Sequence, residues 1–270
     1  MSEQNQAQNF SQDTLNLWWD ALSNGHVPVV KKLLQEGLPA DMPHPENGLT
    51  GLMLAASLNE LPTLKLLLNA GAEVNKKDAS GITALGYAVA NKKISAALML
   101  IKQGADIEIV NEDNLTPLFV AVEQENAGMV HLLLQHGADV NRRGPEGVSA
   151  LECAISKNNA DIVSLLFLFG ANLNTPRDNN LTPLGLAIGS KQFDIARYLV
   201  KLGADCNLKN ADGLTPLFFA VALNSLDMVK FLVYYGADPH VTANNGLTPL
   251  TFAIKQQYGD IVDYLSSLQK

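Results

Sequence analysis

A net charge of −8, from 19 Lys and Arg against 27 Asp and Glu in 270 residues, repels a phosphate backbone, so no nucleic-acid partner is expected. Hydrophobic residues make up 47% of the chain and aromatic residues only 6%, which predicts a continuous core of Leu, Ala, Val and Ile in closely packed helices. Cys153 and Cys206 stand far from any CxxC spacing and read as two buried thiols in a reducing compartment, which makes a cytoplasmic location the expectation and leaves leaderless secretion open.

Residues 1–12 are polar and rich in Gln and Asn, and are expected to form an N-terminal tail. No basic start followed by an apolar run marks a secretory signal, and no apolar stretch is long and unbroken enough to span a bilayer, so no membrane partner is expected. From about Leu15 the chain repeats itself. An aliphatic residue, a hydroxyl residue, a small residue or proline, and then leucine recur at an interval of 33 residues, centred on Thr50, Thr83, Thr116, Ser149, Thr182, Thr215 and Thr248. Such a period predicts a stack of one supersecondary unit, with function on its surface. A single domain is expected over 13–270 in about eight units: an N-cap at 13–46, then 47–79, 80–112, 113–145, 146–178, 179–211 and 212–244, and a C-cap at 245–270. In the N-cap, Trp18 stands where the first-helix leucine belongs, and one extra residue separates Gly37 from Thr50.

The stretch from Asn180 to Asn210 shows how one unit is built. Thr182 is expected to cap a helix that accepts Pro183 in its first turn, where the missing N–H costs no hydrogen bond. Leu184, Ala187 and Ile188 share one face, Asp194 offers the start of a second helix holding Ile195, Leu199 and Val200, and Gly203 ends it in a left-handed conformation. A short extended connection follows. The columns repeat: Leu52, Leu85, Leu118, Leu151, Leu184, Leu217 and Leu250 align, as do Ala55, Ala88, Ala121, Ala154, Ala187, Ala220 and Ala253. An alanine in every copy predicts first helices that approach too closely for a larger side chain.

The runs Gly213-Leu214-Thr215-Pro216-Leu217, Gly246-Leu247-Thr248-Pro249-Leu250 and Gly137-Ala138-Asp139-Val140-Asn141 resemble the G-x-T-P-L-H-x-A-A and G-A-D-V-N phrases of the ankyrin repeat family. The resemblance covers nearly the whole chain. It implies an all-α repeat solenoid of stacked helix-turn-helix ankyrin-type repeats with short β-hairpin fingers, which commonly bind proteins through the fingers and the concave first-helix surface. One departure is consistent: the family's histidine is replaced by Met53, Gly86, Phe119, Glu152, Gly185, Phe218 and Thr251, which shifts the burden of holding the loop layer onto the Thr and Ser caps.

Catalytic, cofactor and metal chemistry find little foothold. His26, His44, His131, His136 and His240 have no metal-ligand spacing, and the glycines sit at repeat ends rather than in a phosphate-cradling loop. Glu108, Glu112, Asp113, Glu123 and Glu125 read as a solvated face, and Ser149 and Cys153 as cap and core. No enzyme, cofactor or metal is expected.

Two columns are candidates for partner binding. The residue before each Thr or Ser is aliphatic in all seven copies, Leu49, Ile82, Leu115, Val148, Leu181, Leu214 and Leu247, although the family is often polar there. These side chains either fold under the fingers or form a recognition stripe. Lys77, Arg143, Arg177 and Lys209, with Lys76 and Arg142 beside the first two, make a broken basic line at the finger bases, read either as ordinary solvation or as steering of an acidic partner. Along the second helices, Phe169, Leu202, Tyr235 and Leu268 fall in one column, either a second interface or a tighter seam. The expected function is a non-enzymatic, monomeric protein-interaction scaffold. The alternative is a dedicated inhibitor or immunity protein, or a leaderless secreted microbial effector.

Overall fold

The computed structural model describes residues 10–177 and 180–268, so most of the expected tail, residues 1–9, lies outside the described residues. The first helix begins inside the remainder of that stretch, at Gln12, because the Ser11 hydroxyl accepts from the amide of Thr14 at 3.2 Å and caps it. The described residues hold sixteen α-helices and one 3-10 turn at Pro145–Gly147, in two compact units. The unit Met1–Asp139 contains α1 (Gln12–Ser23), α2 (Val27–Gln35), α3 (Gly51–Leu58), α4 (Leu61–Asn69), α5 (Ala84–Ala90), α6 (Ile94–Lys102), α7 (Pro117–Glu123) and α8 (Ala127–Gln135). The unit Val140–Lys270 contains α9 (Ala150–Ser156), α10 (Ala160–Leu168), α11 (Pro183–Gly189), α12 (Phe193–Lys201), α13 (Pro216–Ala222), α14 (Leu226–Tyr234), α15 (Pro249–Gln256) and α16 (Gly259–Ser267). Within each unit the odd-numbered helices form one layer, each packing on the next, and every odd helix packs on the even helix that follows it.

The periodic columns build these layers. The seven column alanines are at most 1% exposed, and Leu52, Leu85, Leu118, Leu151, Leu184 and Leu217 at most 2%. Only Leu250, on α15, is half-buried. Six of the seven Thr and Ser caps accept from the amide three residues on, at 3.1–3.4 Å. Thr215 does not, and its buried hydroxyl has no hydrogen-bond partner among the described residues.

Each odd helix from α3 to α15 ends in one shared device. Asn59, Lys92, Glu125, Asn158, Lys191, Asn224 and Gln257, spaced by 33, all take positive φ between 53° and 62°. The amide of the residue after each one donates back to the column alanine carbonyl, from Glu60 to Ala55 through Tyr258 to Ala253, at 2.8–3.1 Å. This is the Schellman closure of a helix. A left-handed residue with a side chain costs about 1–2 kcal/mol, which asparagine relieves in three copies and Lys, Glu or Gln do not. Gly203, at φ +100°, closes α12 as its position predicts. The start of α12 differs from expectation. The helix begins at Phe193, and Asp194 lies in its first turn, 3.5 Å from Arg197, where a carboxylate complements the helix dipole without capping.

The fingers are tight loops. Only two isolated antiparallel bridges occur among the described residues, Pro43 to Thr50 and Arg143 to Ser149, with no continuous strand. In six copies one amide closes the loop on the carbonyl of the aliphatic residue four positions later, as from Asp78 to Ile82 at 3.0 Å and from Asn210 to Leu214 at 2.9 Å. In the first finger the bond runs from His44 to Leu49 at 2.7 Å, one residue longer, so this loop absorbs the extra residue.

Candidate functional site

The aliphatic stripe is held by its backbone. Besides the carbonyl that closes each loop, the Ile82 amide donates to Asp78 Oδ1 at 2.8 Å, the Leu115 amide to Asn111 Oδ1 at 2.9 Å and the Leu214 amide to Asn210 Oδ1 at 2.8 Å. Leu49, Ile82, Leu115, Val148, Leu181, Leu214 and Leu247 are all half-buried. Each therefore packs with one side and shows the other to solvent, combining the two expectations rather than deciding between them. The loss of the histidine column explains part of this packing. A methyl group at Gly86 would lie 2.9 Å from Ile82 Cγ2, and one at Gly185 would lie 3.0 Å from Leu181 Cδ1, so these aliphatic chains cover ground a larger residue would claim. Three other replacements keep a hydrogen bond to the cap amide: Thr50 N–H to Met53 Sδ at 3.3 Å, Ser149 N–H to Glu152 Oε2 at 2.8 Å, and Thr248 N–H to Thr251 Oγ1 at 2.8 Å.

In the first unit the small Gly86 opens a cleft of about 220 Å³ between α5, α7 and their fingers. Ile82, Val89, Ile109, Leu115 and Val120 give it apolar walls, and Glu123 is the charged residue of its lining. Sequence reasoning passed over it because the signal is an absent side chain.

The basic line works mainly inside the stack. Lys77 Nζ donates to the Val110 carbonyl at 3.2 Å, Arg143 Nη2 to that of Pro176 at 2.7 Å, and Lys209 Nζ to that of Thr242 at 3.2 Å, each reaching one repeat ahead. Arg143 Nη1 also donates to the Gly147 carbonyl. Lys77 and Lys209 stay exposed, whereas Arg143 and Arg177 flank a carboxylate. Glu152, whose side chain is 0% exposed, accepts from Arg177 Nε on Oε1 at 3.0 Å and lies 3.8 Å from Arg143 Nη1 through Oε2. Its Oε2 also accepts from the Ser149 amide, which makes it the capping-box residue of α9. A buried carboxylate is tolerated only when paired and hydrogen-bonded, and both conditions are met here.

On the second helices of Val140–Lys270, Leu168 is 73% exposed and Tyr234 83% exposed, and they flank the Phe169 and Tyr235 column. Tyr235 packs on Phe231 with ring centroids 4.6 Å apart and on Tyr234 at 5.2 Å. Phe169 and Tyr235 are exposed, whereas Leu202 and Leu268 of the same column are half-buried.

Both cysteines are buried thiols outside any disulfide. Burial, and then the Asp205 carboxylate, push the Cys206 thiol up to about 11, and burial followed by the hydrogen bond to Asp78 raises the Tyr87 phenol as well. Both groups hold their protons more tightly folded than unfolded, so the stability they contribute is full below their unfolded values and drains away as pH rises through the folded ones. Melting temperature is expected to fall between pH 9 and pH 11, and native Cys206 to resist iodoacetamide at pH 8 while denatured protein reacts at both thiols. Mass spectrometry of the alkylated chain checks the second point, and rapid native labelling of Cys206 would contradict it.

Among the described residues no group of three or more His, Cys, Asp or Glu is placed to hold a metal ion, and no helix is long and apolar enough to cross a membrane. Helix pairs stacked in register and closed by left-handed turns, with loops projecting from the starts of the odd helices, define a repeat protein. The chain belongs to the ankyrin repeat family: the family pattern "Ankyrin repeats (3 copies)" matches residues 17–111, 52–144, 97–177, 143–210 and 203–270. Among solved structures it is similar to the ankyrin repeat domain of Bcl-3, described as a unique member of the IkappaB protein family, with 25% identity and a TM-score of 0.74 over 81% of this chain and 100% of that one. No curated protein matches the sequence.

Proposed function

We propose that this chain is a non-enzymatic, monomeric scaffold of the cytoplasm that binds a protein partner through its fingers and the adjoining first helices. Ankyrin repeats are in general protein-interaction modules. The observation that carries the reading here is the aliphatic stripe, which offers a half-exposed apolar side chain at the base of every finger, on a backbone pinned by its own loop bonds. Rigid apolar anchors bind at low entropic cost. Lys77 and Lys209 serve the stripe by clamping their fingers to the Val110 and Thr242 carbonyls, and Arg143 and Arg177 by holding the finger bases around Glu152.

The test is affinity capture on the full chain with chemical cross-linking and mass spectrometry, repeated with Leu115→Ser, Val148→Ser and Leu181→Ser combined. Loss of the captured partner with an unchanged circular dichroism spectrum is the expected result. A collapse of helicity would show that the stripe is core and defeat the proposal, as would capture of no protein by the unsubstituted chain.

A further inference from the structure

The cleft opened by Gly86 is more selective than the stripe as a whole. We infer that it receives a single apolar side chain of the partner, a leucine, phenylalanine or tryptophan, carried next to a lysine or arginine; this rests on the protein-binding reading above and specifies it. The volume decides the size of the guest. At about 220 Å³ the cleft exceeds the roughly 150 Å³ that holds a benzene ring but falls short of the roughly 300 Å³ at which pockets begin to enclose whole small molecules. One side chain from a larger partner fits that range. Chemistry decides its nature, because Ile82, Val89, Ile109, Leu115 and Val120 supply most of the wall, with Thr83 and Asn111 its polar members, so an apolar side chain gains most by burial there.

Charge decides the neighbour. Glu123 borders the cleft at the end of α7, is exposed, and has no hydrogen-bond or ion-pair partner among the described residues. On the finger side, the Glu112 amide donates to the Ser80 carbonyl at 3.1 Å beside Gly81, which also lines the cleft, and its exposed carboxylate is likewise unpartnered among the described residues. Two lysines on either side of α5 in the chain are tied to carbonyls about one repeat ahead, Lys77 to that of Val110 at 3.2 Å and Lys92 to that of Gln124 at 3.1 Å. The open Glu123 carboxylate therefore stands at the rim of an apolar hole, and a partner with a cation beside its anchor satisfies both features.

The experiment uses a random dodecapeptide phage library panned on the full chain, followed by fluorescence polarisation of the enriched peptides. Enriched sequences are expected to carry Leu, Phe or Trp with Lys or Arg within two positions. Gly86→Leu fills the cleft and is expected to weaken these peptides about ten-fold, as removal of a central anchor does. Glu123→Lys sits on the surface at a helix C-terminus, where a lysine suits the helix dipole, and is expected to weaken them about three-fold at low salt. Circular dichroism monitors the fold, and should Gly86→Leu lose it, Glu123→Lys alone decides. Enrichment of peptides lacking a basic neighbour, binding unchanged by the decisive variant, or no enrichment at all overturns the inference. A chain whose cross-linked partner is retained while the cleft variants bind it unchanged refutes the cleft and leaves the finger reading standing; failure to capture any protein refutes the finger reading itself.

Discussion

Replacing Arg177 with methionine is expected to destabilise the Val140–Lys270 unit by about 3 kcal/mol, the cost of stripping a buried carboxylate of its main partner. Glu152 is the buried member of the group, at 0% side-chain exposure, while Arg177 retains 26% and Arg143 31%. The two ends of the ion pair are therefore unequal. Removing the arginine strands a charge that has no route to water, and Arg143 at 3.8 Å is a poor substitute. Removing the carboxylate, as in Glu152→Leu, frees guanidinium groups that turn outward, and the loss is about 1–2 kcal/mol from the broken capping box. The double variant is expected to be more stable than Arg177→Met alone, so its loss falls below the sum of the two single losses and the coupling energy is non-zero. Urea denaturation of the full chain, followed by circular dichroism, measures all three. Equal and additive losses would show that Glu152 is an ordinary surface acid.

The second large effect is expected at the N-terminal end of the first unit. Trp18 is 0% exposed, and a methyl group built on Gly51 would come within 3.2 Å of its ring and 3.1 Å of Leu22. The glycine at the start of α3 is thus the complement of the indole. Trp18→Leu leaves part of that volume empty and should cost about 2–3 kcal/mol. Gly51→Ala should destabilise the natural chain by crowding the ring, yet stabilise the Trp18→Leu variant by filling the gap. That reversal of sign, read from thermal melts, distinguishes a packed pair from two independent contributions; the same sign in both backgrounds would rule the pairing out.

Much of this architecture was visible as period. The leucine and alanine columns and the repeat-end glycines declare themselves because each must meet the same neighbour in every copy, and they are buried or left-handed where the 33-residue register puts them. The half-exposed stripe was visible as a column too, although its burial was open, because the space beneath it depends on whether Gly86 or Glu152 stands four residues on. What period cannot show is pairing between columns. Arg143 and Arg177 appear on the basic line and Glu152 in the replaced-histidine column, and at separations of 9 and 25 residues in a chain read in steps of 33 nothing joins the carboxylate to them. The turn residues from Asn59 to Gln257 were hidden differently: one backbone conformation is met by four residue types, so no letter repeats.

The clamps at the finger bases carry a rhythm of their own. Lys77, Arg143 and Lys209 each reach forward to Val110, Pro176 and Thr242, and these recipients, in the same column, have no cation to pass on. Donor and recipient alternate, so along this edge the repeating module is 66 residues, twice the period of the core. Excising any single repeat from such an array would bring two cations, or two recipients, into adjacent fingers and break a clamp or oppose like charges. Deleting an adjacent pair would preserve the alternation, which makes two repeats the natural quantum for shortening or lengthening this protein.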